Sequence, residues 1–237
     1  MASNIGIPGN TPQLYDIKTL KPNETWNVLP TNISHAVYSI NFDKVYDYMR
    51  SQTSWISAFQ DMRRLTDFSP VESWDTSMAT MMNAMFYGCS GLTSLDLSGW
   101  DTSSVTDMRA MFYSCSNLNP IDVSGWDVSH VVNMSNMFAN CSSLDKLDFT
   151  GWNTANVSDF QNFVKYDSAL RKIWVPSTFV GSGVSATQQN SKPFHDAPNS
   201  SCHIYTNGSS ALSMDWGNVD NSYTLHFNAT YNDFLNA

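Results

Sequence analysis

The sequence predicts an α/β fold: a short solenoid of strand-plus-helix coils, closed by an N-terminal and a C-terminal cap. Three observations carry that prediction. Trp74, Trp100, Trp126 and Trp152 recur at intervals of 26 residues. Further apolar columns keep the same register, among them Met82, Met108, Met134 and Phe160, and Leu92, Leu118, Leu144 and Leu170. Within each unit the hydrophobic spacing changes from that of a strand to that of a helix.

The strand half comes first. Leu95 and Leu97 alternate with Asp96 and Ser98, the pattern of a strand with one buried face; Ile121 and Val123, then Leu147 and Phe149, repeat it. Asp101, Thr102 and Ser103 follow, side chains that bond nearby backbone groups and turn the chain. Val105, Met108, Met111, Phe112 and Cys115 then fall on one face of a predicted helix. Ser104 and Asp107 stand at capping-box spacing before it. A lone unit cannot bury its own apolar face. Stacked units can, with their strands in a parallel sheet spaced by about 4.8 Å. A partial unit precedes the others, since Phe59, Leu65, Phe68 and Val71 match Phe86, Leu92, Leu95 and Leu97 once one residue is inserted. Positions such as Ser135, outside the apolar columns, are expected at the surface.

The repeat region spans residues 55–180. Residues 1–54 are an N-terminal cap or attachment segment. Its first part is rich in Pro and Asn, a strand is expected in SHAVYSINF, and a helical stretch is expected in FDKVYDYMRSQTSWISAF, where Val45, Tyr48, Met49 and Ile56 fall near helical spacing. Residues 181–237 are a C-terminal cap with a small β-sheet formed by CHIYT and YTLHFNATY. Phe227, Tyr231 and Phe234 suggest that the tail docks.

Composition narrows the function. The net charge is −9 and only 14% of residues are charged. Arg63-Arg64 is the densest basic spot, so no stripe exists to neutralise phosphates, and nucleic acid is excluded as a partner. No apolar run is long enough to insert into a membrane. The first twenty residues have neither a basic n-region nor an apolar h-region, so no signal peptide or anchor is expected in this chain. A neutral surface of Ser, Thr and Asn suits a protein that works outside cells or within an assembly.

Catalytic signatures are missing. There is no Gly-rich phosphate loop, no G-x-S-x-G and no H-E-x-x-H, and Glu24 and Glu72 are the only glutamates. The expectation is a non-enzyme with no catalytic residues, cofactor or metal. An enzymatic site would have to unite His195, Cys202, His203 and His226. Cys89, Cys115 and Cys141 lack a basic neighbour and read as buried thiols rather than nucleophiles. His35 and His130 read as ordinary polar positions. Asp96, Asp122 and Asp148 form an outward column on neighbouring strands. Carboxylates about 5 Å apart repel by about 3 kcal/mol per pair at an effective dielectric of about 20. Hydrogen bonds within each coil or a bound cation would relieve that repulsion. Calcium needs six to eight oxygens, and no D-x-D-x-D-G loop is present to supply them.

The segments CSGLTSLDLSGWDTSSVTDMRAMF, CSNLNPIDVSGWDVSHVVNMSNMF and CSSLDKLDFTGWNTANVSDFQNF resemble the repeats of BspA-type leucine-rich repeat surface proteins. Similar repeats occur in phage-encoded proteins. The resemblance implies a leucine-rich-repeat-like solenoid and a role at surfaces. The function expected is a non-catalytic recognition or adhesion module, extracellular, on a cell surface or on a virion. It would bind a protein or a cell-surface glycan through the face carrying Asp96, Ser98, Asp122, Ser124, Asp148 and Thr150. The alternative is a phage virion structural protein, attached to capsid or tail through other virion proteins.

Overall fold

The computed structural model describes residues 14–15, 39–40, 42–180, 194, 202–208 and 223–237. Its described part is mixed and strand-rich, with few helices and parallel pairing throughout, consistent with an α/β class. Leu14–Tyr15 pairs with Ser39–Ile40, and Leu95–Asp96 with Ile121–Asp122. Lys146–Asp148, Lys172–Val175, Cys202–Thr206 and Tyr223–His226 form a four-stranded sheet. The register advances by one repeat unit per strand: Leu95 lies opposite Ile121, and Leu147 opposite Ile173. The two C-terminal strands continue this ladder, because Cys202–Thr206 pairs directly with Lys172–Val175. A second ladder runs beside the first. Isolated parallel bridges join Ser54 to Met81, Met81 to Asp107, Asp107 to Asn133 and Asn133 to Asp159. The first of these steps is one residue longer than the others, in line with the insertion expected before Phe86.

The helix expected in the second half of each unit is not formed, and strand-plus-helix coils are corrected accordingly. The segment after Val105 is a chain of tight turns. The N–H groups of Met111, Cys115 and Leu118 bond the carbonyls of Met108, Phe112 and Cys115, three residues back, at 3.3, 3.0 and 3.0 Å. Met108, Ala110, Phe112 and Ser114 instead donate to Asn133, Ser135, Met137 and Ala139 of the next unit, at 3.0, 2.8, 2.9 and 2.9 Å. Every second N–H thus leaves the segment, and no α-helical ladder can close. Two backbone positions in the second half of each unit have positive φ: Ala84, Ala110, Asn136 and Asn162 in one column, Gly88, Ser114, Asn140 and Tyr166 in the other. A left-handed residue ends a right-handed helix, so each breaks helical propagation.

The core lies between the two ladders. Phe59, Phe86, Phe112 and Phe138 stack face to face, with successive centroids 5.4, 5.5 and 5.5 Å apart. Trp100, Trp126 and Trp152 form a parallel column at 6.4 and 6.3 Å. Their indole N–H groups donate to Val71, Leu97 and Val123 of the preceding unit, at 2.9, 2.8 and 2.9 Å. Where Val164 replaces the next Phe, Phe163 meets Phe138 edge-on at 5.5 Å. Phe179 continues the Trp column, 6.4 Å from Trp152. At the other end, helix Phe42–Met49 lies on the first unit. Its Val45 and Met49 are buried, and Tyr46 stacks on Trp74 at 5.2 Å.

Ser135 departs from the surface position expected of it. It is buried, and its N–H and Oγ–H both donate to Asn133 Oδ1, at 2.9 and 2.8 Å. Bonded to the Asn133 side chain rather than to solvent, it closes the turn at the bridge.

Close contact between units makes one glycine column testable. A Cβ on Gly125 would lie 2.4 Å from the Ser98 carbonyl oxygen of the preceding unit, whereas at Gly99 it would meet nothing within 4 Å. Gly125→Ala must therefore separate two backbones, at an expected cost of about 1–3 kcal/mol. Gly99→Ala is expected to be neutral or slightly stabilising, through the unfolded chain. Urea midpoints of the two variants check this; equal midpoints would contradict the close approach.

Candidate binding face

The six residues expected to form a recognition face do lie along one edge of the strands. Asp96, Ser98 and Asp122 are exposed, Ser124 and Asp148 half-buried, and Thr150 exposed. Leu95, Leu97, Ile121, Val123, Leu147 and Phe149 alternate with them and are buried. Each Asp closes a turn in its own unit. Asp96 Oδ1 accepts from the N–H and Oγ–H of Ser98 at 3.0 and 2.7 Å. Asp122 Oδ1 accepts from Ser124 at 2.9 and 2.8 Å, and Asp148 Oδ1 from Thr150 at 3.0 and 2.7 Å. The Ser98 hydroxyl and N–H hold the Asp96 carboxyl below its usual range. Donors within each unit thus supply the relief that the carboxylate column needs. The same two-residue turn recurs at Asp101–Ser103 and Asp127–Ser129. Among the described residues, no three His, Cys, Asp or Glu side chains converge as metal ligands would.

One end of the face is covered. Tyr231, at the start of helix Tyr231–Asn236, donates its hydroxyl to Asp148 Oδ2. That bond to the Asp148 carboxylate, with burial, pushes the Tyr231 phenol up to about 12. Phe234 is buried, 6.0 Å from Trp174 and 5.9 Å from Tyr205, and Lys146 Nζ lies 5.4 Å from its ring centre. The open part of the face is therefore centred on Asp96 and Asp122. This return of the tail was only half visible in sequence. Phe234 docks as expected, whereas Phe227 stays more than a third exposed. Thr230 and Asp233 form a reciprocal capping box that a reading of T-x-x-D could have found.

The cysteines and histidines fall into separate environments. Cys89, Cys115, Cys141 and Cys202 are free and buried. Each of the first three thiols donates to a Phe carbonyl of the preceding unit: Phe59, Phe86 and Phe112, at 3.0, 3.1 and 3.1 Å. Burial pushes all four thiols up, Cys202 to about 12, so none is a ready thiolate. Strand alternation points Cys202 into the core, while the half-buried His203 meets His226, with Nδ1 2.8 Å from Nε2. Desolvation and the neighbouring His203 lower the His226 pKa. His195 and His35 lie outside the described residues.

Residues 53–174 match the family described as Mycoplasma protein of unknown function, DUF285. The match covers more than half of the 237-residue chain and takes in the bridge ladder and the Trp column. The chain belongs to this family. No curated protein and no solved structure matches it. Asp96, Ser98, Asp122, Ser124, Asp148 and Thr150 all lie within the DUF285 region, whereas Tyr231, which covers Asp148, lies beyond it. No helix among the described residues is long and apolar enough to cross a membrane.

Proposed function

We propose that this DUF285 protein is a non-catalytic recognition module, a short solenoid that resembles BspA-type surface repeats and acts outside the cell. The observation that supports this most is the contrast between the buried columns and the exposed positions where each strand begins. Buried positions repeat with little change, as in Trp100, Trp126 and Trp152 or Cys89, Cys115 and Cys141. Among the outward positions, Asp96, Asp122 and Asp148 hold their turns, whereas those at the start of each strand change freely: Ser94, Pro120 and Lys146 in one column, Thr93, the half-buried Asn119 and Asp145 in the next. A repeat scaffold of that kind lets surface chemistry vary without disturbing the core. The low charge of the chain and its neutral-polar surface fit contact with extracellular proteins or glycans.

The test is binding of the purified chain to an array of extracellular-matrix proteins and glycans, repeated with Asp122→Asn and Ser94→Glu. Asp122→Asn keeps the oxygen that closes the turn with Ser124 and removes the charge, so the fold is expected to be unchanged. A bound partner should lose about tenfold in affinity with the face variants, as for the removal of a charged hydrogen bond. Binding that ignores both variants would remove this face from the account.

A further inference from the structure

A concave trough of about 520 Å³ crosses four successive units, from Asp61 and Arg63 through Tyr87 and Ser114 to Asn140 and Ser142. It lies apart from the strand face, in the stretch of each unit between the bridge ladder and the next strand. Most of its polar groups differ from those of the strand face. Along the strand face, Ser98, Ser124 and Thr150 are engaged by the Asp two residues before them. In the trough, the hydroxyls of Ser90, Ser114 and Ser116 and the carboxamide of Asn140 make no hydrogen bond among the described residues, while the Ser142 hydroxyl donates to the Ser116 carbonyl at 3.2 Å. At one end, Arg63 Nε and Nη2 donate to Asp61 Oδ1 at 3.3 and 3.0 Å, which fixes the guanidinium and leaves further N–H donors directed elsewhere. Asp61 is itself nearly buried. Tyr87 forms a wall, its ring held by stacking on Tyr113 at 4.8 Å.

We infer that this trough binds a neutral oligosaccharide. Sugars present rows of hydroxyls that both donate and accept. The trough offers matching groups at each step: hydroxyls, a carboxamide, a fixed guanidinium and an aromatic wall. Four units at about 4.8 Å per step give a run of about 14 Å, a length for several linked sugars rather than one. Charge argues for a neutral chain. Among the described residues of the lining, Arg63 is the only cation and is already paired with Asp61, and the protein carries a net charge of −9, which disfavours polyanions. The inference rests on the recognition reading but assigns the saccharide to a surface other than the strand face.

Calorimetric titration with neutral tri- to hexasaccharides of glucose, galactose, mannose and N-acetylglucosamine tests it. Wild type is expected to bind at least one of them. Arg63→Ala should weaken that binding about tenfold, and Ser116→Trp, which fills the trough from a half-buried site, should abolish it. Asp122→Asn on the strand face should leave it unchanged. Thermal melts establish that each variant is folded, and Arg63→Ala serves if Ser116→Trp does not fold. Absence of binding to every saccharide would overturn the trough site while leaving the strand-face reading standing. Saccharide binding that Asp122→Asn reduces and the trough variants do not would also overturn it.

Discussion

Trp126→Ala is expected to lower stability by about 3–5 kcal/mol, the usual cost of truncating a buried aromatic ring. Trp126 is 1% exposed and stands between Trp100 and Trp152, at 6.4 and 6.3 Å. It also touches Phe112, at 6.4 Å, so the cavity would open onto two units besides its own. The substitution further removes the indole donor to the Leu97 carbonyl, 2.8 Å away, which then keeps only the Trp100 N–H at 3.0 Å. Domains are stable by only about 5–15 kcal/mol, so the variant is expected to melt far below wild type or to fail to fold. Ser143→Ala, an exposed change in the same unit, is the control and should leave the melting temperature unchanged. Equal melting temperatures for Trp126→Ala and wild type would show that the column carries no weight.

Asp167→Cys is expected to act in the opposite direction. Asp167 occupies the position that Cys89, Cys115 and Cys141 hold in the earlier units, and it is fully buried. Its Oδ1 accepts the Cys141 N–H at 2.8 Å, but Oδ2 has no partner among the described residues. Cys in its place restores the thiol column, and the Cys141 N–H keeps the Phe138 carbonyl at 3.2 Å. Removing a buried unsatisfied oxygen should raise stability by about 1–3 kcal/mol at neutral pH.

The pH dependence follows from the same burial, which pushes the Asp167 carboxyl well above its ordinary value of 3.8. Between that value and the raised one, the folded chain holds a proton that the unfolded chain has released, so stability falls as pH rises through the window. The advantage of Asp167→Cys should therefore grow with pH from about 4 upward. Asp67, Asp96 and Asp127 have the opposite sign. Their Ser partners hold them below 3.8, so what they add is present above that value and is lost as pH falls below it. Denaturation midpoints of both proteins, measured from acid to neutral pH, check the pair of slopes. A gain that stayed constant with pH would place the Asp167 proton elsewhere.

The repeat was legible in sequence because the units meet through identical columns. Trp100 must stack on Trp126, and Phe86 on Phe112, so the register is written in the residues themselves. The turn chemistry of Asp101 and Asp127 was legible for a similar reason, since a carboxylate closes a turn with its own near neighbours. The second half of the unit was misread because two structures share one spacing. Each tight turn begins and ends on a core residue three apart, as Met108 with Met111 and Phe112 with Cys115, and this imitates the stripe of an amphipathic helix. The distinguishing mark was fainter: the Asn and Gly residues at Gly88, Asn136, Asn140 and Asn162, which tolerate a left-handed backbone. On the candidate face, the six residues could be placed from strand alternation alone. Their engagement in turns, and the return of Tyr231 onto Asp148 from 83 positions away, depend on tertiary packing that no local pattern encodes.

Hydrogen exchange on Trp126→Ala, under conditions where the variant remains largely folded, tests the stacked solenoid most directly. The N–H groups of Met108, Ala110, Phe112 and Ser114 bond the unit that contains Trp126, and those of Met134, Asn136, Phe138 and Asn140 in that unit bond the next one. Damage at Trp126 should therefore spread, with protection lost in the units on both sides as well as in its own. Faster exchange confined to residues 119–144, with both neighbouring units as protected as in wild type, would contradict the solenoid.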